Sequence, residues 1–528
     1  MSKGKTIVLT VIGILLLLSL MIGISYSLWR VNLFQTTANT LVTDCFNITF
    51  TEENNIELLN AYPMYDEDGS KLTPYTFTIK NNCASYATYQ VQLEILNTST
   101  LSDQYLKVML DTKTPDLLTN YNEGEITLEN AKASYILDNN ALDKNEEKTY
   151  NLRVWLDENV TLETEGVQNS NWNAKVTITA KYSDHLLNNY ELCVEKYGED
   201  SVNCNIIAQL DDTGACPTVN DDGTVRLTSA EPTNEYICSA PDDYGMSYYF
   251  RGTPENNWVK FAGYYWRILR INGDDSIRMI YAGDASVIDA LDNKEEVLKN
   301  GYDDSTTKYT QIGESFFNSS YNDNAYVGYM YGIPGSTTYE ETHANINNST
   351  IKETVDEWYE NHIKNTEYEQ YISDTLFCND RSFAASNTGT GVGNSFTRYR
   401  GNSYLDYVFL TCTQQNDRFT VDDAIIGNGD LTYPIGLINL DEIYLAGGYA
   451  SHINRNYYLY NGSYYWTLSP SSFSSNAFVR YMGFDGIVYG SANVTNSRGV
   501  RPVINLKPNS LNTGDGTASN PYQIQFSA

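Results

Sequence analysis

The pattern of apolar and polar positions divides the chain into three regimes. The first is an almost unbroken apolar run over residues 7–28, preceded by Lys3 and Lys5. At 1.5 Å per helical residue such a run just crosses a hydrocarbon core of about 30 Å. Two readings stay open. Lys3 and Lys5 can be the basic start of a secretory signal, with Ser25 and Ser27 flanking its cleavage site, or the run can be retained as an anchor, which its length favours. Either way the N-terminus stays on the cytoplasmic side and residues 31–528 are delivered to the outer face.

The second regime, residues 46–182, alternates with period two. Phe46, Ile48 and Phe50 form one such set, and Tyr75, Phe77 and Ile79 another. Val91, Leu93 and Ile95, then Leu106, Val108 and Leu110, then Tyr150, Leu152, Val154 and Leu156, and finally Val176, Ile178 and Ala180 repeat it. Polar breaks such as Asp66-Glu67-Asp68-Gly69-Ser70 separate the runs, so the pattern predicts half-buried strands in an antiparallel sandwich. The Asp-Glu-Asp-Gly stretch lacks the spacing of a calcium loop and reads as a turn.

The third regime begins near Tyr248 and is richer in aromatics and glycine. Trp258-Val259-Lys260-Phe261 and Tyr264-Tyr265-Trp266-Arg267-Ile268 predict a hairpin about Ala262-Gly263, and Asn272-Gly273 predicts the next turn. Thr350-Ile351-Lys352-Glu353 has the form of a capping box, followed by an apolar stripe of Ile351, Val355 and Trp358 with His362 at its edge. A shorter helix is expected from about Leu440, capped by Asn439 and ended by Gly447-Gly448.

Composition narrows the function classes. The 528 residues carry 34 basic and 66 acidic side chains, a net charge of −32, with no basic cluster. That excludes a phosphate backbone as partner, so no nucleic acid is expected. Eight cysteines (Cys45, Cys83, Cys193, Cys204, Cys216, Cys238, Cys378 and Cys412) suit an oxidising compartment. Pairing each with its nearest neighbour keeps every bridge within one structural unit. There is no C-x-x-C and the four histidines are scattered, so no metal or cofactor is expected. No nucleophile, zinc or nucleotide motif occurs, and Gly389-Thr390-Gly391-Val392-Gly393 lacks a strand–helix frame and reads as a loop. The chain is therefore expected not to be an enzyme.

Two resemblances add to this. The end of the apolar run, Ile24-Ser25-Tyr26-Ser27-Leu28-Trp29, followed by Pro74-Tyr75-Thr76-Phe77-Thr78-Ile79-Lys80-Asn81 and Lys148-Thr149-Tyr150-Asn151-Leu152-Arg153-Val154-Trp155-Leu156, resembles the camelysin/TasA-like group of exported bacterial β-sandwich proteins. Some members form biofilm fibres, which implies that residues 28–43 complete a neighbour's sheet; the large domain that follows favours instead a spacer or the domain's own first strand. Farther on, Tyr464-Tyr465-Trp466-Thr467-Leu468-Ser469-Pro470, Ala477-Phe478-Val479-Arg480-Tyr481-Met482 and Gly499-Val500-Arg501-Pro502-Val503-Ile504-Asn505-Leu506 resemble an extracellular bacterial domain related to the C-type-lectin-like fold of formylglycine-generating enzymes. That resemblance implies an α+β domain. It also implies ligand contacts displayed between the tryptophan strand and the Gly-Val-Arg-Pro strand: Tyr481, Asp485, Tyr489, Asn493 and Asn496. The late copper-binding cysteines of the enzyme branch are missing, so its activity is not carried over.

The expected order is thus a signal or membrane helix (residues 1–30), an all-β antiparallel sandwich (31–184), a disulfide-pinned connector (185–245) and an α+β C-type-lectin-like domain (246–528). Trp266, Arg267, Trp466 and Arg501 are expected as core anchors. The expected function is adhesin-like: a cell-surface or secreted bacterial protein binding a surface glycan or protein, held at the membrane through its N-terminal span if that is retained. The alternative is a fibre or matrix subunit assembled through the sandwich.

Overall fold

The computed structural model describes residues 31–33, 46–50, 57–59 and 63–526, the last range apart from 83–85, 162–163, 165, 168–169, 184–187, 212, 228–233, 301–308, 385–388, 402–406 and 450–452. The chain forms two compact units, Met1–Lys196 and Tyr197–Ala528.

In the first unit the alternating runs become long strands: β1 (Tyr75–Asn81), β2 (Tyr86–Leu96), β3 (Leu106–Leu110), β4 (Ala131–Leu142), β5 (Glu147–Asp157) and β6 (Asn171–Ser183). One sheet runs in the order Val31–Leu33, β6, β2, β4, and the other Phe46–Phe50, β1, β5, β3, Asp116–Leu117. Phe77, Ile79, Val108, Tyr150 and Leu152 from one sheet share a core with Val91, Leu93, Val176 and Ile178 from the other. Each side chain of this kind that leaves water contributes about 1.5–3 kcal/mol. Polar atoms inside are satisfied in series: Tyr89 donates to Tyr150 at 2.8 Å, and Tyr150 donates to Asp138 at 2.6 Å.

The second unit holds two larger sheets. The first contains β7 (Glu235–Asp242), β8 (Gly245–Gly252), β9 (Tyr264–Ile271), β10 (Ile277–Asp284) and, near the chain's end, Pro502–Leu506. Strand Trp258–Phe261 pairs with β9 across Ala262 and Gly263, whose φ of 53° and 81° make the tight turn read from the sequence. The second sheet contains β11 (Tyr465–Phe473), β12 (Ala477–Met482), β13 (Val488–Asn493) and β14 (Ser497–Val500); the strand Pro502–Leu506 is β15. Helix α1 (Thr350–His362) buries Ile351, Val355 and Trp358, leaving His362 exposed with its Nδ1 2.7 Å from the Tyr264 hydroxyl. Its N-cap is Ser349, one residue before the threonine that the motif suggested. Helix α2 (Leu440–Ala446) carries the expected capping box between Asn439 and Glu442, and Gly447 ends it at φ 120°.

Disulfides join Cys216 to Cys238 and Cys378 to Cys412, the nearest-neighbour pairs, with Cα separations of 5.6 and 5.7 Å. Cys193 and Cys204 are also disulfide-bonded. Cys45 and Cys83 lie outside the described residues.

These observations correct the expected fold class. The chain is mostly strands in several sheets with few helices, and among the described residues no helix is long and apolar enough to cross a membrane. Residues 1–30, where a membrane helix was expected, lie outside the described residues. The sandwich is not wholly antiparallel: Val31–Leu33 pairs parallel with β6, and Pro63–Met64 pairs parallel with β5. The expected α+β, C-type-lectin-like character of the second domain is overturned by proportion. Its helix signals are real, but they yield elements of 13 and 7 residues beside sheets of seven and six strands. A cap marks where a helix can start; the length of the apolar stripe behind it decides whether a helical layer forms.

Candidate ligand-binding face

The β12–β13 hairpin places the five residues expected to face a ligand at two separate ends. Tyr481 stands in register with Tyr489, beside the turn that holds Asp485. Asn493 pairs with Phe478 at the other end, where its side-chain oxygen accepts the N–H and the hydroxyl of Thr495 at 3.0 and 2.9 Å. It therefore shapes the following turn, in which Asn496 is exposed. Of Tyr489 only the backbone is described.

The Tyr481 end gathers residues that no single motif contains. The Tyr481 ring lies 5.8 Å from Tyr464 and edge-on to the buried Trp466 at 6.3 Å. Phe484, at the hairpin turn, packs edge-on to Tyr464 at 5.2 Å and keeps 49% of its surface exposed. The Arg498 guanidinium stands over both tyrosines, 4.7 Å from the Tyr464 ring centre and 5.0 Å from that of Tyr481. It donates to the Ser497 carbonyl at 2.9 Å, and among the described residues no carboxylate pairs with it. Burial raises the Tyr481 hydroxyl above its ordinary range, with Arg498 opposing the shift, so it stays a neutral donor and acceptor.

Local chemistry fixes the platform. Gly486, at φ 87°, packs so closely on the Asn454 carbonyl that a Cβ would fall 2.1 Å from its oxygen, so the turn needs glycine. The Tyr460 hydroxyl donates to the Phe484 carbonyl at 3.1 Å, and Arg455 donates to that of Asp485 at 3.2 Å. A rigid turn thus presents two half-buried tyrosines, one exposed phenylalanine and one cation. Such a surface can stack a flat apolar face and bond to its polar rim.

The anchors expected in the core are buried. Trp266 and Trp466 are fully so, while Arg267 donates to Asn257 and to the Pro254 carbonyl with its guanidinium 4.0 Å over the Trp258 ring. Burial lowers the Arg267 pKa to about 9.

A second polar site lies inside this unit. Asn324, His343, Arg381 and Ser395 line a cavity with room for about one water molecule. His343 is 2% exposed and stacks on Tyr339 at 4.3 Å, and its Nε2 lies 3.0 Å from the Gly391 carbonyl. Burial, reinforced by Arg381, lowers its pKa from 6.5 to about 3. The imidazole is therefore neutral, with Nε2–H donating to Gly391. Because the unfolded chain takes the proton first, this residue makes folding weaker by about 1.4 kcal/mol for each pH unit below its ordinary value. The loss begins near pH 6.5 and ends near pH 3. His343→Gln should flatten the acid limb of the stability profile relative to the parent chain, as chemical denaturation at pH 7 and pH 4.5 would reveal. Parallel slopes would mean that His343 titrates normally.

No family model, curated protein or solved structure matches the chain. Among the described residues no group of three or more His, Cys, Asp or Glu side chains could hold a metal ion.

Proposed function

We propose that the chain is a non-enzymatic, adhesin-like binding protein of the bacterial cell surface or its surroundings, and that a surface glycan docks on the Tyr464–Tyr481–Phe484–Arg498 face. Residues 1–30 would hold it at the membrane or direct its release. The observation that carries this reading is the Arg498 guanidinium, without a carboxylate partner among the described residues, stacked over two tyrosines beside an exposed phenylalanine, on a chain of net charge −32. Arg278 and Arg501 of this unit, by contrast, are spent on a carboxylate and on buried carbonyls. A sugar ring stacks on tyrosine while an acidic substituent takes the guanidinium fork.

The test is binding of the full chain to an array of glycans and of host and bacterial surface proteins, with and without chelator. Arg498→Ala and Phe484→Ala should each weaken a glycan hit about tenfold or more without moving the thermal midpoint. A blank array from folded protein would overturn the reading. A hit on proteins alone would replace the ligand class.

One observation favours a second reading, a fibre or matrix subunit. Residues Val31–Leu33, within the segment expected to complete a neighbour's sheet, pair parallel with Ile178, Thr179 and Ala180 of their own unit. So short an edge strand can be exchanged for that of another copy. Polymers that grow with concentration and vanish when residues 28–43 are deleted would support it.

A further inference from the structure

Lys107 is enclosed by more acid than it can neutralise. Its strand β3 lies beside β5, in register with the buried Trp155, and its side chain is only 12% exposed. The ammonium nitrogen sits 3.0 Å from both Asp66 oxygens, 3.2 Å from both Glu158 oxygens and 3.4 Å from Asp157 Oδ2. Asp66 and Asp157 are more buried still, with 8% and 7% of their side chains exposed. Among the described residues no other cation pairs with these three carboxylates. Three ionised acids around one ammonium leave surplus buried charge, which is costly, so protonation of one of them is favoured relative to a free carboxyl. Burial singles out Asp66, whose pKa rises to about 6. Burial also opposes the Lys107 ammonium, but the acids around it hold it charged.

Position is fixed as firmly as charge. Asp66 opens a single helical turn, Asp66–Gly69, and Gly69 presses on Trp155 so tightly that a Cβ would fall 2.3 Å from the indole. The turn cannot lift away without unpacking that ring. A nucleophile and a carboxyl group held in contact on a rigid sheet have the high effective concentration that drives intramolecular acyl transfer.

We propose that Lys107 and Asp66 condense into an intramolecular isopeptide bond, with Glu158 as the proton carrier. Glu158 accepts a proton from the Lys107 ammonium, and the neutral Nζ attacks Cγ of the protonated Asp66. The nitrogen's next proton passes to the leaving hydroxyl, the Cγ–O bond breaks and one water departs; Glu158 then returns its own proton to solvent. No oxidant or cofactor is consumed. The product replaces a buried ammonium and a buried acid by a neutral amide. It also closes a covalent ring across a sequence separation of 41 residues, tying the 66–69 turn to β3.

The experiment is peptide mass mapping of the purified full-length chain after disulfide reduction. The expected result is a branched peptide joining the Lys107 and Asp66 fragments, lighter than their sum by one water. Glu158→Gln should abolish the branched peptide while the chain still melts cooperatively. Asp66→Asn should retain it with loss of ammonia in place of water, a signature that an ion pair cannot give. Unjoined Lys107 and Asp66 fragments from the folded parent chain would overturn the proposal, and an undiminished branched peptide in Glu158→Gln would overturn the role of Glu158.

Discussion

Arg501→Ala is expected to destabilise the second unit by about 3–6 kcal/mol, the sum of the lost hydrogen bonds to two buried carbonyls and an unfilled volume. Arg501 sits where the chain leaves β14 of one sheet and enters β15 of the other, and it is 2% exposed. Its Nε and Nη2 donate to the Tyr281 carbonyl at 3.3 and 3.2 Å, and Nη1 donates to that of Leu459 at 3.1 Å. The Tyr465 ring lies 5.0 Å from the guanidinium. Strand β10 of the first sheet, the 459 loop and β11 of the second are thus joined by one planar group. Among the described residues it has no carboxylate partner, and burial lowers its pKa. An unpaired buried cation is itself unfavourable, so relief of that cost works against the loss. The donors win because removing them takes two hydrogen bonds from the Tyr281 carbonyl where water cannot reach, while the Leu459 carbonyl keeps the Tyr465 hydroxyl at 3.1 Å. Arg501→Met separates the terms: it restores volume but not donors, and should recover only the cavity part. Denaturant midpoints of the three chains measure this, and an alanine variant as stable as the parent would refute the anchoring role.

How far such features could be read from sequence depends on how local their cause is. Strands β1, β3 and β5 followed from alternation because one face of each meets the core and the other meets water. The short turn at Ala262-Gly263 followed because two residues between alternating runs leave few backbone solutions. Strand β4 was not legible. Its Asp138-Asn139-Asn140 stretch has low strand propensity, and pairing with β2, with shifts in register, overrides that preference. Asp66-Glu67-Asp68-Gly69 likewise read as a hydrophilic break, yet Asp66 is buried against Lys107, a partner 41 residues away.

The candidate face divides in the same way. Tyr481 and Asp485 are close in sequence to the hairpin turn and could be placed from it. Tyr464, Phe484 and Arg498 come from three stretches that meet only because β11 pairs with β12 on one side and Tyr465 stands in register with Gly499 on the other. Gly499 was legible as part of a strand motif. Its close approach to Gln311, where a Cβ would fall 2.1 Å from the side chain, has no local signature.

Glu442 is expected to be the most sensitive carboxylate of the second unit, because it does two things at once. As the third residue of α2 it accepts the N–H of Asn439 at 3.0 Å, closing the capping box. The same side chain, 3% exposed, lies 2.5 Å from Arg278 Nε and 3.5 Å from Arg270 Nε. Arg278 is 1% exposed and stands 4.6 Å over the Phe377 ring, while Arg270 also reaches Asp242 at 3.5 Å. Burial opposes ionisation of Glu442, but Arg278 and Arg270 outweigh it and hold the carboxyl below its ordinary range. Its contribution is therefore complete above the unfolded value near 4.5 and is lost as pH falls through the lower folded value. Glu442→Ala leaves two buried guanidinium groups sharing only Asp242, and should cost about 3–5 kcal/mol for the uncompensated charge with a further ~1 kcal/mol for the cap. Glu442→Gln keeps an oxygen for the Asn439 N–H, so it should lose the first term and retain the second. The ranking parent, Gln, Ala in denaturant midpoint at pH 7 is the expected result. A glutamine variant as stable as the parent would show that the pair is held by geometry and hydrogen bonds alone, with charge contributing nothing to the junction between α2 and the β9–β10 strands.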